Sequence, residues 1–353
     1  MKFPPSRKTL ARCKMNWCQF MFGRAAVTTL VLLIVGVGAG AGPGRAETVR
    51  IARQFGLSYL PLIVMQEEHL LEAEGRARGL DLQAEWLTFS GGPPINDALI
   101  SGNIDLASGG VGPFLTIWAR TGGNLRVRGL AALGCMPMGL NSRRAEVHSV
   151  ADLGPGDRIA LPGVKVSVQA VVLQMAAQRA FGPGQQFRLD PLTVTMGHPD
   201  GQAALAAKGE VTAHFTAAPY MYEELAQPGV HRVLDSYAVL GGPHTFNVVW
   251  ATSRYHDAHP LVMAAFMAAL ERAMAQIREQ PEAAAALWVR IEHARMDAAQ
   301  AAAMVRLPDN EWTTAPRRVM QFMRFMHSTG VIGAEAGDWR ALFFPEAHGL
   351  DGS

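Results

Sequence analysis

The sequence predicts an α/β protein with two lobes. Strand-like and helix-like segments alternate from residue 47 to about residue 260, which is typical of mostly parallel sheets covered by helices. A second series with the same alternation begins near residue 140. With 353 residues, of which 49% are hydrophobic, the chain is long enough to form two cores. The part from Pro260 to Gly330 is nearly all helix-forming, so a helical C-terminal part is expected.

The first 46 residues are predicted to be a secretory signal peptide, which implies export to the periplasm. A basic, acid-free region from Met1 to Arg24 precedes the apolar run Ala25 to Gly42, and small residues follow. Cleavage is expected after Ala46 or after Ala41. The alternative is an uncleaved anchor, because the run approaches the roughly 18–20 residues that span a bilayer. No later segment is predicted to be long and apolar enough to span.

Removing the signal peptide reverses the net charge. The whole chain has a formal charge of +2, but residues 1–46 contain seven Lys or Arg and no acid, which leaves 25 basic against 30 acidic residues. Because no basic stripe remains to neutralise phosphates, a nucleic-acid partner is not expected. Of the three cysteines, only Cys135 follows the signal peptide. An intramolecular disulfide is therefore not expected, and Cys135 is predicted to be buried.

The elements of the first lobe are predicted in a regular order. Strands are expected at 48–54, 81–89, 104–110 and 125–133, and helices at 60–74, at 94–100 and from near residue 113. The loops after these strands lie at the carboxyl ends of the strands. Open α/β sheets bind ligands at these positions.

The second lobe repeats this alternation. It is predicted to begin with a small helix, a turn and a strand within 149–163. Helices at 166–181, 200–210 and 218–225 and strands at 190–197, 211–216 and 231–237 are predicted to follow. Gly182 is expected to end the helix at 166–181. One more strand and a turn follow at 245–260, in which Asp257 is expected to cap the next helix. Pro281 and Pro308 are expected to separate the C-terminal helices.

Three blocks of sequence resemble a known family. Residues 61–115 contain a strand ending in "FSGG", a helix ending in "SGNID" and a strand closing on "GGVGP"; residues 158–182 and 201–225 contain "RIALPGVKVSVQ" and "AALAAKGEVTA" followed by "APY". In their order and spacing these motifs are similar to periplasmic substrate-binding proteins of the nitrate, sulfonate and taurine ABC importers. The resemblance covers about residues 49–330.

The resemblance implies a type II periplasmic-binding-protein fold, in which two lobes joined by two crossovers close on a solute. Lobe I is expected at 47–135 and 245–335, lobe II at 136–244, and a C-terminal tail at 336–353. The crossovers are expected near 136–140 and 242–246. The implied partners are a small solute and the permease and ATPase of an importer, and the protein is expected to be monomeric.

Two glycine-rich turns in lobe I are the first candidates for solute binding. Glycine lets backbone N–H groups approach a ligand, and at the start of a helix these groups meet the positive end of the helix dipole. An anion is then held without a side-chain cation. Neither turn contains the lysine of a nucleotide-binding loop. The alternative is that both are tight turns only. The candidate residues are Ser90, Gly91, Gly92, Gly110, Val111 and Gly112.

Lobe II and the first strand supply the other candidates. Ser167 is expected to cap a helix that starts near Val168, and Lys165 lies beside that helix start, so a hydroxyl, N–H groups and a cation converge on a ligand. The alternative for Lys165 is a solvated loop charge. Further candidates, predicted to form the walls of the site, are Gly56, Ser58, Tyr59, Thr216, Tyr220, His244 and Phe246.

Catalytic and metal sites are not predicted. The histidines at 198, 214, 231 and 244 fall on separate elements, and no H-E-x-x-H, C-x-x-C or G-x-S-x-G motif occurs. The fold also resembles pyrimidine-forming enzymes of thiamine synthesis that use pyridoxal phosphate. That alternative requires a Schiff-base lysine, for which Lys165 is the only candidate.

The function expected from these observations is capture of a small, anionic organic solute by hinge closure, with no chemistry and no cofactor. Sulfonates, nitrate, taurine-like compounds and aromatic acids are the classes considered. The alternative is a thiamine-precursor binding protein or a pyridoxal-phosphate-dependent enzyme, and a third is a regulatory binding module.

Overall fold

The structure, a computed structural model, describes residues 46–353. The predicted signal peptide therefore lies outside the described residues, except for Ala46. The strands are β1 Glu47–Arg53, β2 Leu82–Thr88, β3 Ala107–Gly110, β4 Val127–Ala132, β5 Met138–Ser142, β6 Ile159–Leu161, β7 Thr193–Thr195, β8 Ala213–Ala217, β9 His231–Asp235 and β10 Asn247–Thr252. The helices are α1 Leu60–Glu67, α2 Leu70–Ala77, α3 Gly92–Ile100, α4 Val111–Thr121, α5 Val168–Phe181, α6 His198–Ala206, α7 Tyr220–Leu225, α8 Ser236–Leu240, α9 Ser253–Ala258, α10 Pro260–Glu279, α11 Pro281–Ile291, α12 Ala298–Val305 and α13 Val319–Ser328.

The strands form three sheets. β1 pairs with β2, and a parallel bridge between Ile51 and Leu106 connects this pair to the segment before β3. The second sheet has the order β3-β10-β4, and the third has the order β7-β6-β8-β5-β9. We call the part built on β1–β4 and β10 lobe I, and the part built on β5–β9 lobe II. The predicted two-lobed α/β fold is thus confirmed.

The direction of the strands follows from the path of the chain. Within each lobe of the described chain every strand but one runs in the same direction, and the exceptions are β5 and β10, which are antiparallel to both of their neighbours. Each of these two strands is the first after a crossover. Because the chain leaves one lobe at the carboxyl ends of its strands and enters the facing edge of the other, the first new strand runs away from the crevice.

The two crossovers lie side by side. Cys135 forms isolated bridges with Thr245 and with Glu311, and the Phe246 N–H donates to the Gly134 carbonyl at 3.3 Å. Cys135 is a free, buried cysteine, as predicted, and burial raises the pKa of its thiol to about 12. The thiolate, which is the reactive form, is therefore scarce at neutral pH.

The C-terminal helices complete the core of lobe I. The largest fully buried side chains include Phe114, Trp250, Phe266 and Trp288, which come from α4, β10, α10 and α11. Helix α10 is long and apolar enough by composition to cross a membrane, which the sequence prediction missed, but half of that stretch is buried within the protein. Its apolar residues pack in the core, as those of an amphipathic helix in a globular protein do.

Several elements differ from the prediction. The expected helix 60–74 is two helices, because His69 adopts a left-handed conformation with φ 48° between α1 and α2. β5, α8 and α9 were not predicted. Helix α9 occupies the expected turn, and Thr252 caps it by accepting a bond from Tyr255 N–H. Asp257, expected to cap the next helix, lies within α9, and the residue before α10 is His259, which makes no side-chain capping bond.

The segment 336–353, expected to be a tail, packs on lobe I. Phe343 is fully buried and forms a bridge with Gly129, and the Phe344 N–H donates to the Gly129 carbonyl at 2.8 Å. Buried aromatic side chains contribute roughly 1.5–3 kcal/mol each to stability when removed from water. This segment is therefore part of the lobe I core and not a free extension.

Candidate functional site

A small cavity lies between the two lobes at the carboxyl ends of the parallel strands. Its volume is about 20 Å³, which is room for about one water molecule. The lobes are thus closed on each other in this structure. The polar side chains that line the cavity are Gln54, Tyr59 and Asn247 from lobe I and Ser167, Gln169 and His198 from lobe II.

Four helices begin at this cavity. Gly92 is the first residue of α3, Gly110 precedes α4, Ser167 precedes α5, and His198 is the first residue of α6; all four residues line the cavity. The first N–H groups of a helix have no partner within the helix and carry its positive dipole end. The cavity therefore lies where two helices from each lobe direct their donors and positive ends.

The lobe I glycines make direct contact with lobe II. A Cβ built on Gly91 would lie within 3.0 Å of the Pro162 carbonyl oxygen, and one built on Gly112 equally close to the Val166 carbonyl oxygen. These glycines allow the two backbones to touch. This corrects the expectation that both present their N–H groups to a solute.

The other residues of these turns have separate positions. Gly92 and Gly110, both predicted to bind solute, line the cavity. Val111 is fully buried and its N–H donates to the Phe246 carbonyl at 3.1 Å, so this amide is already used. Ser90 is exposed outside the cavity lining. The predicted turns thus converge on one crevice, but only part of each faces the cavity.

The segment after β1 forms one wall of the cavity, and its side chains are hydrogen-bonded to Asn247. The Tyr59 hydroxyl donates to Asn247 Oδ1 at 3.3 Å, and Asn247 Nδ2 donates to Ser58 Oγ at 2.8 Å. Tyr59 lines the cavity and burial raises the pKa of its hydroxyl, whereas Ser58 lies behind it. Gly56, with φ 116°, is the turn that lets Leu57 N–H bond the Ala218 carbonyl of lobe II at 3.1 Å.

Of the two candidate residues in the lobe II loop, Ser167 lines the cavity and Lys165 does not. Ser167 caps α5, as predicted, because its Oγ accepts a hydrogen bond from Ala170 N–H at 3.2 Å. Lys165 is exposed and lies outside the cavity lining, with φ 68°. Its position fits the alternative of a solvated loop charge. It also removes the only Schiff-base candidate, so the residues of this crevice do not fit pyridoxal phosphate.

Replacing Lys165 by alanine is expected to leave solute affinity unchanged within about twofold, because the ammonium group is solvated and its field is screened. Lys208→Ala is the matched control, since Lys208 is likewise exposed and has φ 55°. Titration calorimetry of both variants measures the effect. A loss of tenfold or more in Lys165→Ala alone would show that the lysine reaches the solute.

His198 was not selected as a candidate from the sequence, yet it lines the cavity. Thr216 and Tyr220, which were selected, contact this histidine and not the cavity itself. The Thr216 Oγ1 lies 2.9 Å from His198 Nδ1, and the Tyr220 ring stacks on the imidazole at 5.7 Å between centroids. The available signal was the position of His198 at the start of a helix that follows a strand.

Of the two candidates for solute binding in the second crossover, His244 and Phe246, only Phe246 lines the cavity. His244 is fully buried in the crossover, where Nε2 lies 3.0 Å from Ser236 Oγ and Nδ1 lies 2.9 Å from the Thr245 carbonyl. Burial lowers its pKa to about 4. The structure therefore places His244 outside the cavity lining and not in its wall, because the side chain is fully buried in the crossover.

One ion pair lies beside the crevice. Arg53, the last residue of β1, contacts Glu292 Oε1 through Nη1 at 2.5 Å, and their side chains are 7% and 4% exposed. The Gly56 N–H faces the second oxygen of Glu292 at 3.4 Å. Among the residues that line the cavity in the described chain, none carries a formal charge. Over residues 46–353 no cluster of three or more His, Cys, Asp or Glu is placed to hold a metal ion.

No protein-family model and no curated protein sequence matches the chain. Solved structures do resemble it. The periplasmic aliphatic sulphonate binding protein SsuA of Escherichia coli is 20% identical, with a TM-score of 0.62 over 87% of this chain and 100% of that one. The alkanesulfonate-binding protein SsuA of Xanthomonas axonopodis pv. citri, bound to MOPS, is 20% identical, with a TM-score of 0.63 over 84% and 96%.

A third structure identifies the architecture. A conserved Candida albicans gene product with the generic periplasmic binding protein fold is 16% identical, with a TM-score of 0.64 over 87% of this chain and 99% of that one. Since these matches cover nearly the whole of each neighbour, the two lobes and their connections agree together. The chain has the periplasmic binding protein fold that its sequence motifs predict.

Proposed function

We propose that the protein is the extracytoplasmic solute-binding component of an ABC importer, which captures a small solute by closing two lobes on it. One observation carries the proposal: four helices, two from each lobe, begin at a single cavity between the lobes. A solute held there contacts both lobes only when they are closed. Binding therefore shifts the population toward the closed state.

The solute is proposed to be a small organic molecule with an anionic or acceptor-rich head group. Helix N-termini favour such groups, each by roughly 0.3–1 kcal/mol, without a side-chain cation. The exposed edge of Phe55 and the buried ring of Phe246 supply apolar surface for the body of the solute. Sulfonates, taurine-like compounds, nitrate and aromatic acids are the classes to test.

The closed structure limits where this solute fits. A cavity of about 20 Å³ is far smaller than an organic solute, so the lobes must open to admit one. The lining side chains must then move apart to hold it, while the backbone contacts of Gly91 and Gly112 with lobe II form again. The permease and ATPase of an importer are the proposed partners, and the periplasm is the proposed location. The enzyme alternative is not proposed, because Lys165 does not reach the crevice.

The experiment is titration calorimetry of the exported form against these solute classes, with small-angle scattering to follow closure. We expect one site per molecule and a smaller radius of gyration on binding. Gln169→Leu, which removes a polar side chain from the lining, is expected to weaken binding by at least about tenfold. Gln178→Leu is the control, because Gln178 is on the same helix outside the lining. Absence of binding by every class, or equal affinity in the two variants, would contradict the proposal.

A further inference from the structure

A chain of buried polar side chains lies behind the crevice in lobe II. His214 Nδ1 lies 2.6 Å from Glu224 Oε1, and Asn141 Nδ2 donates to the other Glu224 oxygen at 2.9 Å. His214 and Glu224 are fully buried. The His214 ring lies 5.6 Å from the ring of His198, which lines the cavity. Burying polar groups of this kind costs free energy unless they are hydrogen-bonded. Their presence behind the crevice therefore suggests a function beyond stability.

The geometry holds the His198 ring in one place. Thr216 Oγ1 lies 2.9 Å from its Nδ1, Tyr220 stacks on one face, and His214 packs against it. The remaining nitrogen, Nε2, lies 3.4 Å from Gln169 Nε2. Both His198 and Gln169 line the cavity and are 8% and 2% exposed. The imidazole therefore presents one nitrogen, together with a neighbouring amide, at the site where a solute is proposed to bind.

His198 is a neutral group in this environment. Burial and the neighbouring His214 lower its pKa to about 3. The titratable groups that face it are His214 and, through it, Glu224 from lobe II, Tyr220 from α7, and Tyr59 across the cavity. Burial raises the pKa of both tyrosines, so they are uncharged as well.

The hydrogen bonds of this group can reverse direction. A threonine hydroxyl both donates and accepts, a neutral imidazole has two tautomers, and an amide can rotate to exchange its donor and acceptor. The chain Thr216–His198–Gln169 therefore offers either a donor or an acceptor to a solute. A fixed cation offers donors only.

We propose, on the basis of the solute-binding function above, that His198 determines which solutes the crevice accepts and that it recognises them by hydrogen bonding and not by charge. The substrate class that follows is a small solute whose polar group is accepted both as an anion and as its uncharged isostere. Carboxylate and carboxamide, or sulfonate and sulfonamide, form such pairs. Thr216 is a positioning residue, because it acts on the solute only through the imidazole.

The test compares the affinities of benzoate with benzamide and of methanesulfonate with methanesulfonamide, by calorimetry between pH 5 and pH 8. The two members of whichever pair binds are expected to differ by less than about a hundredfold in favour of the anion, because the helix N-termini favour it modestly and no formal charge faces it. The affinity is expected to be flat over this pH range, because a group with a pKa near 3 does not titrate there. A histidine with an ordinary pKa would instead lose anion affinity as the pH rises through about 6.5.

Variants separate recognition from folding. His198→Phe is expected to weaken binding of both members by at least about tenfold, and His198→Gln to restore most of it, because glutamine keeps a donor and an acceptor. Thr216→Val is expected to weaken binding less than His198→Phe and to retain the flat pH profile. His148→Phe is the control, since His148 is exposed in lobe II. Circular dichroism melting verifies that each variant is folded.

The outcomes distinguish this inference from the proposed function. If no solute of any class binds the native protein, the proposed function and the inference both fail. If solutes bind but anions are preferred by more than about a hundredfold, if affinity falls as pH rises through about 6.5, or if His198→Phe binds as tightly as the native protein, only the inference is overturned. Affinities within about a hundredfold of each other, with loss in His198→Phe and recovery in His198→Gln, support it.

Discussion

Gly112→Ala is expected to prevent full closure of the lobes and to lower solute affinity by about a hundredfold. The added Cβ would lie within 3.0 Å of the Val166 carbonyl oxygen and close to the backbone of Ser167, both in lobe II. Backbone atoms cannot move aside as a flexible side chain can. The clash is therefore relieved only when the two lobes separate. The apparent affinity for the solute then falls in proportion to the population of the closed state.

Lobe I itself is expected to remain intact in this variant. Gly112 is the second residue of α4, where alanine is a better helix former than glycine by about 1 kcal/mol. Small-angle scattering should therefore show a larger radius of gyration without loss of helical circular dichroism. Gly122→Ala is the control, because Gly122 caps the other end of α4 and has no atom within 4 Å of an added Cβ. If Gly112→Ala closes and binds like Gly122→Ala, the glycine is not needed for contact between the lobes.

Glu292→Gln is expected to destabilise the protein by about 3–5 kcal/mol. The substitution leaves the Arg53 guanidinium buried, at 7% exposure, without its carboxylate partner. A charge without compensation in the interior costs several kcal/mol, whereas the intact pair roughly balances its own desolvation. The free energy of unfolding, measured by urea denaturation with circular dichroism, gives the loss directly.

Two further variants test the cause. Glu282→Gln breaks the exposed pair of Glu282 with Arg306, whose side chains are 67% and 48% exposed, and is expected to change stability by less than about 1 kcal/mol. Combining Arg53→Met with Glu292→Leu removes both charges and should recover most of the stability. A double variant as unstable as Glu292→Gln would assign the loss to packing and not to an unpaired charge.

The elements that local sequence determines were predicted well. β1, α3 and α5 lie where their apolar spacing placed them, and α5 begins after Ser167 and ends at Gly182, as the cap and the glycine indicate. The break between α1 and α2 at His69 was missed, because the residues around this histidine do not indicate that it adopts a left-handed conformation. Capping and periodicity act within a few residues, so they can be recognised without the fold.

The site was predicted only in part. Gly92, Gly110, Tyr59 and Ser167 line the cavity, since each lies at or after the end of a strand and such loops meet at one edge of a parallel sheet. Phe246 lines it from the crossover before β10. The same rule holds for His198, but the sequence contains other polar residues in comparable loops and gives no criterion for choosing among them. Exposure decides this choice, and exposure is a property of the packed protein.

Sequence by itself determined the alternation of strands and helices, the order of the motifs, the acidic balance after the predicted signal peptide and the helix starts at the crevice. These depend on residue type and local spacing. Tertiary structure decided which charges are neutralised, since Arg53 and Glu292 are 239 residues apart, and which histidines meet, since His198 and His214 lie on different elements. It also decided that the lobe I glycines serve contact between the lobes. The physical reason is that desolvation and close packing depend on distances between atoms brought together by folding, and these distances have no local signature in the chain.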